Sequence, residues 1–134
     1  INLGNLIHKL MSEVIYKEDV KNLNYTELSH SDSTKIQKKI EDIVFNNQIK
    51  HLFQLGSTVI VERTIIDQNK SVWRPDRLVI HDPQTISVLD YKTGKYKESD
   101  KSQILNYKKL FTEMGYTKVK GYLVYIMESK IIKY

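Results

Sequence analysis

The strongest constraint on the fold is the order of element types in the second half of the chain. Three segments rich in β-branched residues follow one another, at 58–66, 72–80 and 86–91. Turn residues separate them, first at 67–70 and then around Pro83. Because β-branched side chains favour extended backbone and the turn residues favour chain reversal, these segments predict consecutive antiparallel strands.

A helical pattern follows the third predicted strand. Its apolar positions recur every three to four residues: Ile104, Tyr107, Phe111 and Met114. Ser99 or Asp100 is suited to cap the start of this helix, and Gly115 is suited to follow its end. Two more apolar segments, 119–126 and 131–134, predict a fourth and a fifth strand.

The first 56 residues have the opposite character. Apolar residues at helical spacing predict a first helix over about fifteen residues: Leu3, Leu6, Ile7, Leu10, Met11 and Val14. Residues 17–33 are polar and predict a loop. Thr34 with Gln37 resembles a capping box, which predicts that a second helix starts there and runs to about Phe53.

The element order ααβββαβ(β) predicts an α/β (α+β) fold with a mixed central sheet flanked by helices. The length of 134 residues allows one domain, with a helical part over 1–56 and the sheet and third helix over 57–134. Because the sequence starts at Ile1 rather than Met, we expect it to be a piece of a larger chain.

Composition excludes several classes of protein. The chain has no cysteine, which excludes disulfides, iron–sulfur clusters and thiol catalysis and fits a reducing, cytoplasmic setting. Its apolar runs are far shorter than the roughly 18 residues that span a bilayer, so we expect no membrane association. The net charge of +5 is compatible with a polyanionic partner, but many basic domains have no such role.

Two acidic residues interrupt the apolar faces of the second and third strands. By the two-residue period of a strand, Asp76 continues the row of Leu78 and Ile80, and Asp90 continues the row of Val88. A hairpin closed symmetrically about Pro83 places the two carboxylates opposite each other, with Cβ atoms roughly 4.5–5.5 Å apart.

Two opposed carboxylates repel each other, and a divalent cation is the simplest way to make the arrangement favourable. Oxygen-rich sites of this kind suit Mg²⁺ or Mn²⁺. Lys92 shares the face of Asp90 and would lie beside such a cation. In the alternative interpretation Asp76 and Asp90 mark strand ends, face solvent, and use Lys92 as an ordinary ion-pair partner.

Four motifs follow one another along the chain. They are Gly4-x-x-x-His8 on the first helix, Asp76 in its strand, Asp90-Tyr91-Lys92 in the next, and Gln103-x-x-x-Tyr107 on the third helix. Together and in this order they resemble the PD-(D/E)xK nuclease superfamily, and in particular the RecB-type nuclease domain of helicase–nucleases. The resemblance extends from Gly4 to Ile126. It implies a restriction-endonuclease-like fold, a DNA substrate, and a helicase motor in the parent chain or complex.

The resemblance also implies residue roles. His8, Asp76, Asp90 and the main-chain carbonyl of Tyr91 would bind Mg²⁺ or Mn²⁺. Lys92 would act on the attacking water or the scissile phosphate, and the last two motif residues, Gln103 and Tyr107, would position the lysine or the substrate. Since no cysteine is present, branches of the family that carry an iron–sulfur cluster are disfavoured.

Each of these residues also has a structural interpretation. In this interpretation His8 is an ordinary helix residue, Gln103 is the partner of a capping Asp100, and Tyr107 belongs to the core. Glu62 either binds metal or pairs with a neighbouring arginine such as Arg77.

The segment around the start of the third helix is basic. DNA-contacting candidates here are Lys95, Lys97, Lys101 and Tyr96, which would bind phosphates and stack on bases. Alternatively the lysines form a solvated face.

The sequence therefore predicts a metal-dependent, exonuclease-type deoxyribonuclease acting in DNA recombination or repair. The first alternative is a non-catalytic nucleic-acid-binding module that retains the fold. The second is an interaction domain within a helicase complex. Metal-dependent cleavage separates the enzyme from both.

Overall fold

A five-stranded mixed sheet forms the centre of the structure, a computed structural model that describes residues 2–134. The helices are α1 (Leu3–Ser12), α2 (His30–Val44) and α3 (Glu98–Glu113). The strands are β1 (Thr58–Val61), β2 (Ile65–Ile66), β3 (Val72–Trp73), β4 (Arg77–Asp82), β5 (Thr85–Lys92), β6 (Lys118–Tyr125) and β7 (Lys130–Lys133). Short 3-10 helices cover Lys17–Asn22 and Lys50–Phe53.

The strand order in the main sheet is β1-β4-β5-β6-β7, and β2 pairs with β3 in a separate two-stranded ribbon. Only β5 and β6 are parallel, because α3 carries the chain back across the sheet between them. The other neighbours are antiparallel. This arrangement confirms the predicted α+β fold with a mixed central sheet flanked by helices. Within the described residues no helix is both long and apolar enough to cross a membrane.

The hairpin between β4 and β5 has the predicted register. Leu78 pairs with Val88 and Ile80 pairs with Ile86, and the register shifts by one residue only at the turn, where Asp82 pairs with Thr85. A one-residue slip along the strands would have exchanged the two faces. The alternation of the sequence was therefore sufficient to assign each side chain to its face.

The two faces of the sheet cover two separate cores. On one side, which we call the α1/α2 face, Val79 and Leu89 pack against the N-terminal helices. On the other, the α3 face, Leu78 and Val88 pack beneath α3 together with Ile104, Tyr107 and Phe111. Gly121 of β6 lets α3 come close, since a Cβ built there would lie 2.9 Å from the Ile104 side chain.

Two predicted strands are interrupted. The segment 58–66 splits at Glu62, whose positive φ of 48° is incompatible with extended backbone. The segment 72–80 splits at Arg74-Pro75, where the proline cannot donate a ladder hydrogen bond. The pieces beyond these breaks leave the main sheet and form the β2–β3 ribbon.

The helix boundaries in the N-terminal half also differ from the prediction. Helix α2 starts at His30 rather than Thr34, because Ser29 caps it by accepting a hydrogen bond from the Asp32 amide at 3.2 Å. Thr34 instead donates its hydroxyl to the His30 carbonyl. The helix ends at Val44, well before Phe53, and the predicted loop contains a 3-10 helix at Lys17–Asn22.

Helix α3 was predicted closely, apart from its cap. Lys97 occupies the cap position, and Asp100 lies three residues further on and accepts a hydrogen bond from the Lys97 amide at 3.2 Å. Gly115 follows the helix with φ of 111°, as expected. Met114 was predicted on the apolar side but is 56% exposed, because it lies at the C-cap beyond the covered part of the helix.

Candidate functional site

The site is built where the β4–β5 pair ends. Asp76 directly precedes β4, and continuing the pairing of Arg77 with Leu89 by one residue places Asp76 opposite Asp90. Because the ladder ends there, the Asp76 carboxylate takes over as hydrogen-bond acceptor and receives the Tyr91 amide at 2.7 Å. Asp90 is only 4% exposed, and the side chain of Asp76 is 17% exposed. The interpretation in which both carboxylates face solvent is therefore wrong.

The two carboxylates influence each other strongly. Burial, followed by the negative charge of Asp90, raises the pKa of Asp76 from 3.8 to about 7. The hydrogen bond from the Tyr91 amide acts in the opposite direction but is outweighed. The pair therefore favours a bound positive charge, either a proton or a cation.

His8 reaches this pair from α1. Its Nδ1 lies 3.0 Å from the Gly4 carbonyl oxygen, and its Nε2 lies 2.8 Å from the Tyr91 carbonyl oxygen. A neutral imidazole has one N–H and can donate to only one of these carbonyls. If Nδ1 donates to Gly4, the Nε2 lone pair faces the Tyr91 oxygen, an arrangement that a shared cation stabilises. A protonated ring would satisfy both contacts, with Asp76 3.7 Å away as its counter-charge.

Lys92 projects from the end of β5 on the same side as Asp90. Its ammonium donates to the Gln103 side-chain oxygen at 2.7 Å and lies 2.8 Å from an Asp90 carboxylate oxygen. The amide of Gln103 in turn lies 3.4 Å from the Tyr107 hydroxyl, one helical turn further along α3. Gln103 is thus part of the lysine's surroundings, and its interpretation as a capping partner is wrong.

Tyr107 closes the α3 side of the site. It is 3% exposed, and its ring packs edge-on against Trp73 of β3 with centroids 5.9 Å apart. Burial and the charges of Asp90 and Asp76 raise the pKa of its phenol, so the hydroxyl stays protonated. Both the core interpretation and the site interpretation apply to this residue.

The side chain of Glu62 does not point to the carboxylate pair. Its amide donates to the Asp76 carbonyl at 3.1 Å, but its carboxylate lies 3.6 Å from the Arg74 guanidinium and is 39% exposed. The predicted pairing with Arg77 is wrong, because Arg77 is directed to the α1/α2 face, where it contacts the Leu52 carbonyl.

The predicted DNA-contacting residues surround the start of α3. Lys95, Lys97 and Lys101 are all exposed. Tyr96 is 37% exposed, donates its hydroxyl to Glu98 at 3.0 Å, and lies with its ring 6.3 Å from that of Tyr125. These four residues are accessible and lie around the start of α3, which follows Lys92 in the chain.

Two residues near the site were not given a role by the sequence. Asp100 was considered only as a helix cap, although its carboxylate lies 3.9 Å from the Lys92 ammonium. Gly4, which the sequence singled out as part of the motif with His8, lies close to Thr93, whose hydroxyl oxygen would be 3.1 Å from a Cβ built at Gly4. The signal that could have identified Asp100 was its helical spacing from Gln103, since both residues contact Lys92 from the same side of α3.

The donor set fits an oxygen-preferring divalent cation. It comprises the two carboxylates and the Tyr91 carbonyl, which are the oxygen donors that Mg²⁺ and Mn²⁺ select, together with one imidazole nitrogen. Within residues 2–134, no three His, Asp or Glu side chains by themselves form a preformed metal group. In this structure the Lys92 ammonium lies next to the Asp90 carboxylate.

No family model matches the chain, and no curated protein matches it.

Proposed function

We propose that this chain is a metal-dependent deoxyribonuclease of the RecB type, with a restriction-endonuclease-like fold. The observation that carries the proposal is the convergence of His8, Asp76, Asp90 and the Tyr91 carbonyl at one end of the β4–β5 pair. Lys92 lies directly beside them. The two opposed carboxylates and the ring nitrogen facing a carbonyl could hold a divalent cation, and the adjacent ammonium could stabilise negative charge on a phosphate.

The proposed ligands are His8, the two carboxylates of Asp76 and Asp90, and the Tyr91 carbonyl. Bound Mg²⁺ or Mn²⁺ would lower the pKa of a water and polarise a phosphoryl oxygen. In the tautomer that donates Nδ1–H to the Gly4 carbonyl, Gly4 would orient the His8 ring and leave the Nε2 lone pair to act as a ligand.

The remaining residues act on the substrate. Lys92 stabilises the negative charge that develops on the phosphate or orients the attacking water. Gln103 holds the ammonium by accepting its hydrogen bond, and Tyr107 holds Gln103. Each of these contacts already exists in the protein, so little reorganisation is needed when substrate binds.

DNA is the proposed substrate because three exposed lysines, Lys95, Lys97 and Lys101, form an accessible surface around the start of α3, which follows Lys92 in the chain. Tyr96 on that surface would stack on unpaired bases. The proposal includes exonuclease-type action in recombination or repair, a helicase motor in the parent chain or complex, and a cytoplasmic setting. Because the phosphate contacts are ionic, DNA binding should weaken steeply as the salt concentration rises.

The test is a calorimetric titration of Mg²⁺ or Mn²⁺, followed by cleavage of an end-labelled DNA oligonucleotide. We expect Asp90→Ala to lose cation binding and cleavage together. Lys92→Ala should retain cation binding and lose cleavage, by roughly 10²- to 10³-fold or more, since a group that stabilises transition-state charge is removed. Asp32→Ala, on the exposed first turn of α2, is the matched control and should behave like the wild type.

Wild-type cleavage rates in Asp90→Ala or Lys92→Ala would overturn the assignment of the site. Salt-dependent DNA binding without cleavage in the presence of either cation would instead support the non-catalytic binding module. A protein that binds neither the cation nor DNA would support the interaction domain.

A further inference from the structure

Asp100 is a buried carboxylate at the site for which the proposed chemistry so far has no use. It lies in the first turn of α3 and is 8% exposed. One of its oxygens accepts two hydrogen bonds, from the Tyr125 hydroxyl at 2.9 Å and from the Lys97 amide at 3.2 Å. The side chain is therefore held in place from β6 and from the start of its own helix.

The other oxygen of Asp100 faces Lys92, at 3.9 Å from its Nζ. The same ammonium lies 2.8 Å from Asp90 and donates to Gln103 at 2.7 Å. A lysine ammonium has three N–H groups, and here three acceptor side chains surround it. Two of the three carry a negative charge.

The two carboxylates next to Lys92 cease to be equivalent once a divalent cation is bound. Asp90 belongs to the proposed ligand set, so its charge is shared with the cation, which also repels the ammonium. Asp100 is not a ligand and keeps its full charge for Lys92. It is the charged group that remains to hold the ammonium next to a cation of the same sign.

We propose that Asp100 is a positioning residue that holds the Lys92 ammonium beside the metal site while Asp90 binds the cation. This inference rests on the proposed function, and it adds to the two ligand carboxylates a third, which lies outside the ligand set and acts as a positioning residue. Tyr125 and the Lys97 amide fix Asp100, Asp100 fixes Lys92, and Lys92 acts on the phosphate or the water.

The first test is Asp100→Asn, which keeps an acceptor oxygen for the capping hydrogen bond but removes the charge. With Mg²⁺ and a DNA oligonucleotide, we expect kcat to fall roughly 10- to 100-fold, the range typical for loss of a group that orients a metal-site residue. KM and the calorimetric Mg²⁺ affinity should stay near the wild-type values. Asp32→Asn makes the same change at the equivalent first-turn position of α2 and should leave kcat unchanged.

The second readout does not depend on cleavage. The ¹H–¹⁵N NMR signal of the Lys92 ammonium, assigned by its loss in Lys92→Met, reports whether the ammonium protons are held in hydrogen bonds. In the Mg²⁺-loaded protein we expect the signal in the wild type and in Asp32→Asn, and its loss in Asp100→Asn. A merely structural role of Asp100 as a cap would leave this signal in place.

The outcomes separate the two proposals. An unchanged Lys92 signal in Asp100→Asn, with kcat equal to that of Asp32→Asn, would overturn the positioning role while wild-type cleavage upholds the nuclease. If Asp100→Asn loses the Lys92 signal and the wild type cleaves no DNA, the positioning role would be upheld and the nuclease proposal overturned. If Asp100→Asn does not fold, Tyr125→Phe removes one support of Asp100 and should give a smaller fall in kcat; an unchanged kcat there would count against the proposal.

Discussion

Two adjacent residues at the start of β4 are both charged and both largely buried, but their surroundings differ completely. Arg77 is turned to the α1/α2 face and Asp76 lies at the end of the α3 face. The first residue has its hydrogen-bonding needs met within the chain, and the second does not. The comparison separates a buried charge that stabilises the fold from one that requires a further partner.

Arg77 is completely buried. Its guanidinium donates to the carbonyls of Val14, Ile15 and Leu52, at distances between 2.6 and 3.3 Å, and lies 4.0 Å from the centre of the Phe53 ring. Val14 and Ile15 follow α1, so this one side chain connects the helix that carries His8 to the strand that follows Asp76. Arg77 therefore holds the end of α1 against the start of β4, and so constrains how far His8 lies from Asp76.

Asp76 has no equivalent complement of donors. It receives one amide hydrogen bond, from Tyr91, and is opposed by Asp90. The fold holds two carboxylates together at a cost that a proton or a cation would relieve. Arg77 is stabilised entirely by groups of the chain, whereas the Asp76–Asp90 pair is relieved by a bound proton or a bound cation.

The largest expected change in stability comes from removing the hydrogen-bond donors of the Arg77 side chain. Arg77→Met keeps most of the volume but leaves the Val14 and Leu52 carbonyls buried without their partner. Since each unsatisfied buried group costs about 1–3 kcal/mol, we expect the free energy of unfolding to fall by about 3 kcal/mol or more. Urea denaturation followed by circular dichroism measures it.

A change below about 1 kcal/mol in Arg77→Met would contradict the structural role of the guanidinium. The exposed Arg63 of the β1–β2 connection provides the control, because Arg63→Met removes the same charge without burying anything. Its midpoint should stay close to that of the wild type.

Removing the charge of Asp76 should raise the free energy of unfolding, whereas Arg77→Met should lower it. The pKa of Asp76 is about 7 in the folded protein and 3.8 is its ordinary value, so between about pH 4 and 7 the folded state binds a proton that the unfolded state has released. Stability of the metal-free protein therefore falls as the pH rises through this window, and the deficit is complete above pH 7. Asp76→Asn removes that deficit.

We expect Asp76→Asn to be more stable than the wild type at pH 8 without metal, by on the order of 2–4 kcal/mol, and nearly equal to it at pH 4. Saturating Mg²⁺ should raise the unfolding midpoint of the wild type and leave that of Asp76→Asn unchanged. Parallel urea titrations at the two pH values measure both effects. A variant that is less stable than the wild type at pH 8 would show that Asp76 stabilises the fold as Arg77 does.

The hairpin is the part of the site that the sequence predicted well. Alternation of apolar residues in two strands, with a turn at Pro83, requires only short-range information, and it correctly paired Leu78 with Val88. The position of Asp76 opposite Asp90 then followed from the same register. The fold class followed equally from the succession of periodicities along the chain.

The parts that were not predicted depend on contacts between distant segments. The ribbon formed by β2 and β3 leaves the sheet where Trp73 packs on Tyr107, 34 residues further along the chain. Arg77 interrupts the apolar row of Val79, and period-two alternation alone does not reveal which carbonyls it will meet. Asp100 looked like a cap because its contact with Lys92 arises only after α3 has docked on the sheet.

The smallest expected effect concerns the distance between α1 and the end of β5. In Gly4→Ala the new Cβ would lie 3.1 Å from the Thr93 hydroxyl and 3.3 Å from the Asn2 side chain, so α1 or Thr93 must shift by a few tenths of an ångström. The higher helix propensity of alanine, worth up to about 1 kcal/mol, offsets part of the strain, and the unfolding midpoint should change little. His8 and the Tyr91 carbonyl, now 2.8 Å apart, would nevertheless move relative to each other.

Because losing a group that orients a metal ligand costs roughly 10- to 100-fold in affinity, this small shift of a retained ligand should weaken Mg²⁺ binding by less, roughly 2- to 5-fold. Gly94→Ala is the matched control, since a Cβ there meets no atom within 4 Å although Gly94 follows Thr93 directly. Calorimetry on the two variants measures the difference. Equal Mg²⁺ affinities in Gly4→Ala and Gly94→Ala would mean that the position of α1 does not control the proposed cation site. Since Arg77 secures α1 on the opposite face of the sheet, Arg77 and Asp76 would then act independently of each other.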